Sequence, residues 1–349
     1  EKLLDLKENN NENLQMSYRI FILLLVLSTN SFAADVSSAR EALTQKDDDA
    51  SQEKSLEEVF EATENNYSLM SEGQTSLSYS LSYSYSADQR LNVDIANGQV
   101  RAFDVTPSSS HSLTNNFSFD YGYANNLTIG VTVPLTVRYD SIDTISGSGL
   151  GDISISARYQ PYSYIPGEVS KTFNGSFKTK TGDNPFRTIS GKRLPTGSGY
   201  YSLSGGLSLS KVVDPVMLFG SGNLTYAIPE SDINQPRSGA VLTEVNPGLS
   251  FSASGGFAYS LSYDVSLSIS MQASYTNKST YVFRNSSGTY NEAQSAASMS
   301  GVFNMSLGVR VSPKTITNIG MGFGMTDDAP DIMLSLSMPI DINGLKAKS

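Results

Sequence analysis

The chain has 349 residues, no Cys, no Trp and a single His. Its formal charge is −10, yet charged residues make up only 17% of it, beside 28 Gly and 19 Tyr. The absent thiols exclude a disulfide scaffold, a thiolate zinc site and a lipidated-cysteine anchor, one imidazole excludes a multi-His metal site, and the acidic balance argues against a nucleic-acid binder.

A soluble domain of this length usually carries about 25% charged residues. Here Ser, Thr, Asn, Gly and Tyr take their place, the composition of a β-protein with one greasy face and one small polar face. The charge is also uneven. Residues 1–72 carry a net −9 and the remainder a net −1, so an acidic head precedes a nearly neutral body.

In chain order, residues 1–15 are set aside as an upstream extension that precedes an export signal. Met16-Ser-Tyr-Arg19 forms a basic n-region, Ile20 to Leu27 an apolar block, and Ser31-Phe32-Ala33 a small-residue cleavage site. The apolar block is far short of the roughly 20 residues that span a bilayer, so 16–33 reads as a signal peptide. Residues 34–72 form the acidic head. Glu41 stands three residues after Ser38, as in a capping box. Ser55-Leu-Glu-Glu58 then opens a stronger stretch in which Leu56, Val59, Phe60 and Thr63 share one helical face. The head reads either as a solvated periplasmic helix or as an amphipathic segment that sits in or under a pore. In the second case Leu56, Val59 and Phe60 are its stopper.

From Gln74 onward the period changes from 3.6 to 2. Leu77, Tyr79, Leu81, Tyr83 and Tyr85 alternate with serines, and so do Val265, Leu267, Ile269, Met271 and Ala273. Twelve such segments recur, near 75–86, 112–123, 126–139, 150–160, 170–180, 199–211, 215–228, 247–259, 263–276, 297–311, 315–325 and 331–341. Connections after even-numbered segments are short, and most of those after odd-numbered ones are long: 87–111, 140–149, 181–198, 229–246 and 277–296. This is the signature of a 12-stranded antiparallel transmembrane β-barrel over residues 73–342, with a short N-terminal helical segment before it and a tail, 343–349, after it.

A soluble sandwich would also alternate, but its outer face would need Lys, Glu and Asp where this chain has serine. In hydrocarbon an open sheet edge leaves backbone groups unpaired, so the sheet must close. A one-residue slip would turn the Leu/Ile/Tyr face into the lumen. At about 1.5–3 kcal/mol per Leu or Ile transferred, one slipped strand would lose on the order of 5–10 kcal/mol. Tyrosines near segment ends supply interfacial anchoring.

Ser146-Gly-Ser-Gly-Leu-Gly-Asp-Ile-Ser-Ile-Ser-Ala-Arg-Tyr159 resembles the "GLGD" strand of the outer-membrane transporter family named after the phenol meta-degradation pathway. Leu194-Pro-Thr-Gly197, Asp214-Pro-Val-Met-Leu-Phe219 and Thr326-Asp-Asp-Ala-Pro-Asp331 are similar to that family too. Leu56-Glu-Glu-Val-Phe-Glu-Ala62 with Asn66-Tyr67-Ser-Leu69 resembles the subset related to Fap-type functional-amyloid export barrels. That resemblance implies a 12-stranded barrel, a helical lumen plug and a periplasmic coiled coil.

Residues that could carry chemistry are few. Gly147, Gly149 and Gly151 lack the Lys-Ser/Thr of a phosphate loop and read as a hairpin loop. Asp327, Asp328 and Asp331 read as a tight acidic turn, with Ca²⁺ binding as the sharper reading. His111 reads as an exposed loop histidine. The alternative, a Ser–His pair as in outer-membrane phospholipases, lacks a motif that sets serine, His111 and an amide together. Gly320, Gly322 and Gly324 share the inward face and leave room beside the wall. The charged residues of inward parity are Asp120, Arg138, Asp152, Arg158, Lys178, Lys180, Asp264, Arg310 and Asp341, compatible with salt bridges or a weak selectivity filter.

The expected function is therefore non-enzymatic and cofactor-free: an outer-membrane channel or transporter whose N-terminal segment is periplasmic. It exports an extended polypeptide such as an amyloid subunit, with helix 55–64 as plug. The alternative is uptake of small aromatic or hydrophobic compounds, and a second is a structural, non-conducting barrel. Expected partners are outer-membrane lipid, the outer-membrane assembly machinery and the transported polypeptide or small hydrophobic molecule, with no nucleic acid and a homo-oligomer left open.

Overall fold

The computed structural model describes residues 69–340, apart from 97–98, 142–143, 163–164, 166, 188–192, 214, 238–239, 286–287 and 313–314, and describes no side chain within 88–108. The signal, the acidic head with Leu56, Val59 and Phe60, and Asp341 all lie outside the described residues.

Everything with regular structure among the described residues is strand. The wall is built from β1 (Thr75–Ala96), β2 (Gln99–Ala124), β3 (Leu127–Asp140), β4 (Ile145–Leu150), β5 (Ser154–Tyr159), β6 (Ser170–Lys178), β7 (Ser202–Val213) and β8 (Val216–Ala227). β9 (Gln235–Arg237) and β10 (Ala240–Asn246) precede β11 (Ser250–Ser262) and β12 (Val265–Thr276). β13 (Thr280–Asn285) and β14 (Tyr290–Gln294) precede β15 (Ser298–Ser312), β16 (Thr315–Gly324) and β17 (Ile332–Ile340). Thirteen of these form one sheet, and the pairing of β2 with β3 closes it. β4 and β5 pair with the two halves of β3, Leu135–Asp140 and Leu127–Thr132, and so make one stave. The result is a closed barrel of 12 antiparallel staves. Closure removes the sheet edges that backbone groups in hydrocarbon cannot leave open, and the one strand flank left beside β4 is met by a loop.

Register follows the alternation. Leu77, Tyr79, Leu81, Tyr83 and Tyr85 of β1 face Ile340, Met338, Leu336, Leu334 and Ile332 of β17 across the ladder, so greasy side chains stack on greasy ones. They form the outer belt, where Leu203 is 57% and Ile319 56% exposed. Inward positions are small and polar, and many are buried: Thr128, Ser208, Ser266 and Ser268 among them. A polar residue on the outer face is locally satisfied. Asn115, two rungs from Phe117 in the belt, accepts a hydrogen bond from the Tyr79 hydroxyl at 2.7 Å.

Four long connections contain more strand than the alternation predicts. β4 takes in the second half of the expected loop 140–149, so Gly147 and Gly149 pair with Arg138 and Thr136 of β3 instead of forming a hairpin loop. β1 and β2 run past the expected loop 87–111 as one long hairpin. The expected loops 229–246 and 277–296 carry β9, β10, β13 and β14, a separate four-stranded sheet at the long-loop end. Ile233, Leu242 and Val245 form its core, with Phe186, Tyr281 and Phe283 packed against them. β9 and β14 are too short to show a period and pair with their chain neighbours β10 and β13, which join each other across about 40 residues of sequence.

Candidate functional site: the barrel lumen

The lumen is the inner face of the alternation. It holds a cavity of about 570 Å³ against the wall from β8 through β11, β12, β15, β16 and β17 to β1. The side chains around it include Ser82, Ser84, Ser221, Asn223, Ser252, Ser254, Ser270, Gln272, Asn304, Ser306, Ser335 and Ser337, and no Asp, Glu, Lys or Arg. Hydroxyls bridge neighbouring strands, as Ser221 and Ser254 do at 2.7 Å. Gly320 and Gly322 border the same space. A Cβ on Gly322 would press on Asn304 and Met333, so these glycines admit neighbouring side chains rather than leaving a void.

At the short-turn end an apolar cluster interrupts the serine face: Val212, Met217, Phe219 and Ala258, each at most 8% exposed. All four have inward parity, since Val212 pairs with Met217 and Ala258 with Met217 on adjacent strands. Phe219 also touches the cavity and so forms its apolar floor.

The chain approaches β1 at that same end. Gly73 takes φ +77°, the left-handed region that glycine enters without strain, and turns the chain into the strand. Just before it, a Cβ on Gly122 would collide with the Ser71 carbonyl, so the backbone crosses the rim there only because that residue has no side chain. The Met70 amide then donates to Thr128 Oγ1 at 2.8 Å. Thr128 is an inward residue with no exposed surface, and Met70 therefore sits on the lumen side of the wall.

The predicted lumen charges resolve into pairs and clamps. Arg158 and Asp120 meet at 2.8 Å on the β5–β3–β2 face, directly beside Gly130, where a Cβ would strike the Asp120 carboxylate. Arg310 approaches Asp264 at 4.0 Å and lies over the Tyr263 ring at 5.4 Å. Asp264 itself is in the β11–β12 turn, at the mouth rather than on the wall. Lys178 lies over Tyr200 at 5.5 Å and Lys180 over Tyr201 at 5.0 Å. Lys180 also binds both oxygens of Glu230, at 2.8 and 2.7 Å. Glu230 is buried, and sequence parity does not reveal it, because its segment falls in an expected loop. Burial, then the fields of Tyr281 and Asp152, raise the Tyr200 phenol above its ordinary value.

Asp152 and Arg138 serve the loop 179–201 rather than an open pore. Asp152 Oδ1 accepts the Gly182 amide at 3.0 Å, and Oδ2 accepts the Ser198 amide and hydroxyl, both at 2.6 Å. Arg138 donates to the Pro195 carbonyl at 3.1 Å. The two glycine-bearing motifs meet here. Gly182 and Gly197 pack so closely that a Cβ on either would enter the other's backbone. The contact explains why β4 needs no strand neighbour on its second edge. Leu194 N, the Arg193 guanidinium and Thr196 Oγ1 donate to the carbonyls of Ser146, Ser148 and Leu150. Below them the Thr179 amide and hydroxyl donate to the Ile153 carbonyl, and Thr181 Oγ1 accepts the Ile153 amide. Between β4 and β5 the chain uses four steps from Leu150 to Ser154, where β3 uses three from Leu135 to Thr132. That one-residue bulge aims Asp152 at the loop.

His111 faces outward. Its Nδ1 lies 2.9 Å from the Tyr83 hydroxyl, and its ring sits among Tyr83, Tyr85 and Tyr139, an aromatic girdle rather than a nucleophile's base. The acidic turn is likewise structural. Asp331 accepts the Ala87 amide at 2.5 Å and Asp328 the Met299 amide at 2.7 Å, and no group of His, Asp and Glu among the described residues could hold a metal ion.

No family model matches the sequence, so the family resemblance rests on the motifs quoted above. The barrel is similar in structure to the COG4313 outer membrane channel from Pseudomonas putida F1, with a TM-score of 0.58 at 16% identity over 79% of this chain and 98% of that one. Looser similarity extends to the translocator domain of the autotransporter NalP from Neisseria meningitidis (TM-score 0.45, 10% identity, 90% of this chain and 100% of that one). The TodX monoaromatic hydrocarbon channel also matches (TM-score 0.43, 10% identity, 77% and 90%). The first of these establishes that the chain has the fold of an outer-membrane β-barrel.

Proposed function

We propose that this protein is an outer-membrane channel for small solutes, with the short-turn end in the periplasm and the N-terminal segment stoppering that end. The observation that carries the reading is the uncharged, hydroxyl-lined cavity inside a closed wall whose exterior is apolar. The matched barrels lend export of an amyloid subunit no support, and small-molecule uptake is the reading kept.

The stopper follows from where the chain comes in. Met70 is bonded to a lumen threonine, and the apolar cluster of β7, β8 and β11 lies at the same end. From β3 to β8 is four inter-strand steps by way of β5, β6 and β7, about 19 Å at about 4.8 Å per step. The ten residues from Phe60 to Met70 span about 15 Å as a helix and about 33 Å extended. The segment thus reaches the cluster, and Leu56, Val59 and Phe60 supply an apolar face that matches it. Deleting residues 38–66 raises single-channel conductance in planar bilayers. Unchanged conductance would remove the stopper, and a deletion variant that inserts yet never conducts would remove the channel reading. The chain is naturally cysteine-free, so a Phe60→Cys/Phe219→Cys pair reports the contact directly. A disulfide holds conductance low and reduction restores it.

A further inference from the structure

We infer that the central cavity is a binding station for neutral, hydroxyl-rich solutes of the saccharide or polyol class. This rests on the channel reading and adds the chemistry of what passes.

Three side-chain amides face the cavity without any hydrogen-bond partner among the described residues: Asn223, Gln272 and Asn304. They stand on β8, β12 and β15, three different staves of the same wall. Each amide presents one acceptor and two donors, and each surrounding serine presents both functions. A vicinal hydroxyl also donates and accepts, so the lining and a sugar rim are matched group for group. The space is of the size that small-molecule sites occupy, about 300–1,000 Å³.

Charge selects against the other solute classes. No ionisable side chain borders the cavity apart from the outward-facing Tyr83. Three ion pairs of the lumen neutralise themselves: Arg158 with Asp120 on the β5–β3–β2 face, Arg310 beside Asp264 at the short-turn end of β15, and Lys180 with Glu230 near the long-loop end. An anion or cation in the cavity thus finds no counter-charge. An apolar solute would strip water from amides and hydroxyls and return no hydrogen bond, the discrimination that polar sites exert most strongly. Phe219 and Met333 supply a limited apolar surface for a sugar's C–H face, and Phe219 joins the cavity to the apolar cluster at the short-turn end.

The test uses the full chain in planar bilayers and in liposomes. Maltotriose added to conducting channels should produce transient current block, and liposomes should swell in maltose at least fivefold faster than in lactobionate, a disaccharide acid of similar size. Asn223→Ala, Gln272→Ala and Asn304→Ala together should cut the frequency of block at least fivefold with open conductance kept within twofold. Asn304→Asp, nearly isosteric, should fold like the parent and shift ion preference toward cations. Equal or faster entry of lactobionate, or full block retained in the triple variant, would overturn the inference while leaving the channel intact. Absence of any conductance with a correctly folded barrel would overturn both.

Discussion

The seven staves from β8 round to β1 and the five from β2 to β7 obey one alternation and do different things with it. The larger part has regular ladders, serine rows and open space. The smaller part carries the wall's only mid-stave bulge among the described residues, the half-buried Arg158–Asp120 pair and the docked loop 179–201. The contrast shows that a barrel needs only a two-residue period to close, whereas an interruption in one stave has to be compensated by named donors. Thr179, Thr181, Arg193, Leu194 and Thr196 together replace the missing strand beside β4 and the bulge.

The comparison breaks most sharply at Asp152. Asp152→Ala strands two amides and a hydroxyl, and at 1–3 kcal/mol per unsatisfied group the barrel should lose about 4 kcal/mol, read as a lower urea midpoint for unfolding in lipid vesicles. Protease nicking within 179–201 should rise in parallel. A charge in the regular wall costs a little less. Ile319→Arg places a guanidinium in the outer belt, and about 3 kcal/mol is expected near the bilayer midplane, seen as loss of the heat-modifiable band at lower temperature. Arg158→Ala leaves Asp120 without its partner on a partly hydrated lumen face, a loss of about 1–2 kcal/mol. The double variant with Asp120→Ala should recover part of it, and a double-mutant cycle measures the coupling. Smallest is Ser221→Ala, which removes one neutral hydroxyl bridge to Ser254. About 0.5–1 kcal/mol is expected, within reach of equilibrium unfolding.

These differences also mark how far the sequence carries. The twelve wall staves were legible because period and solvent coincide: Val265, Leu267, Ile269 and Met271 point to lipid and the serines between them point to water. The lumen parity of Asp120 and Arg158 was equally legible, since both lie in unbroken alternation. In the alternation Asp152 is indistinguishable from one more lumen charge, because a bulge shifts parity by one residue and leaves no periodic trace. β9, with Pro236 at its centre, and β14, Tyr-Asn-Glu-Ala-Gln, have no period to detect and form only against β10 and β13. Glu230 follows the same rule: its importance comes from Lys180, 50 residues away. The apolar patch of Val212, Met217, Phe219 and Ala258 is a lapse in the serine face at the β7–β8 turn, a signal that means little until the turn is placed beside the N-terminal approach.

The direct test of a greasy exterior around a hydroxyl-lined bore is a single-cysteine scan through β12, using a chain that has no cysteine of its own. Cysteines placed one at a time at positions 269, 270, 271 and 272 and probed in liposomes should alternate. Positions 270 and 272, on the cavity, should react with a water-soluble maleimide and be shielded from a lipid-confined one, with 269 and 271 showing the reverse. Equal labelling at all four positions, or water-soluble reagent reaching 269 and 271 alone, would contradict the account.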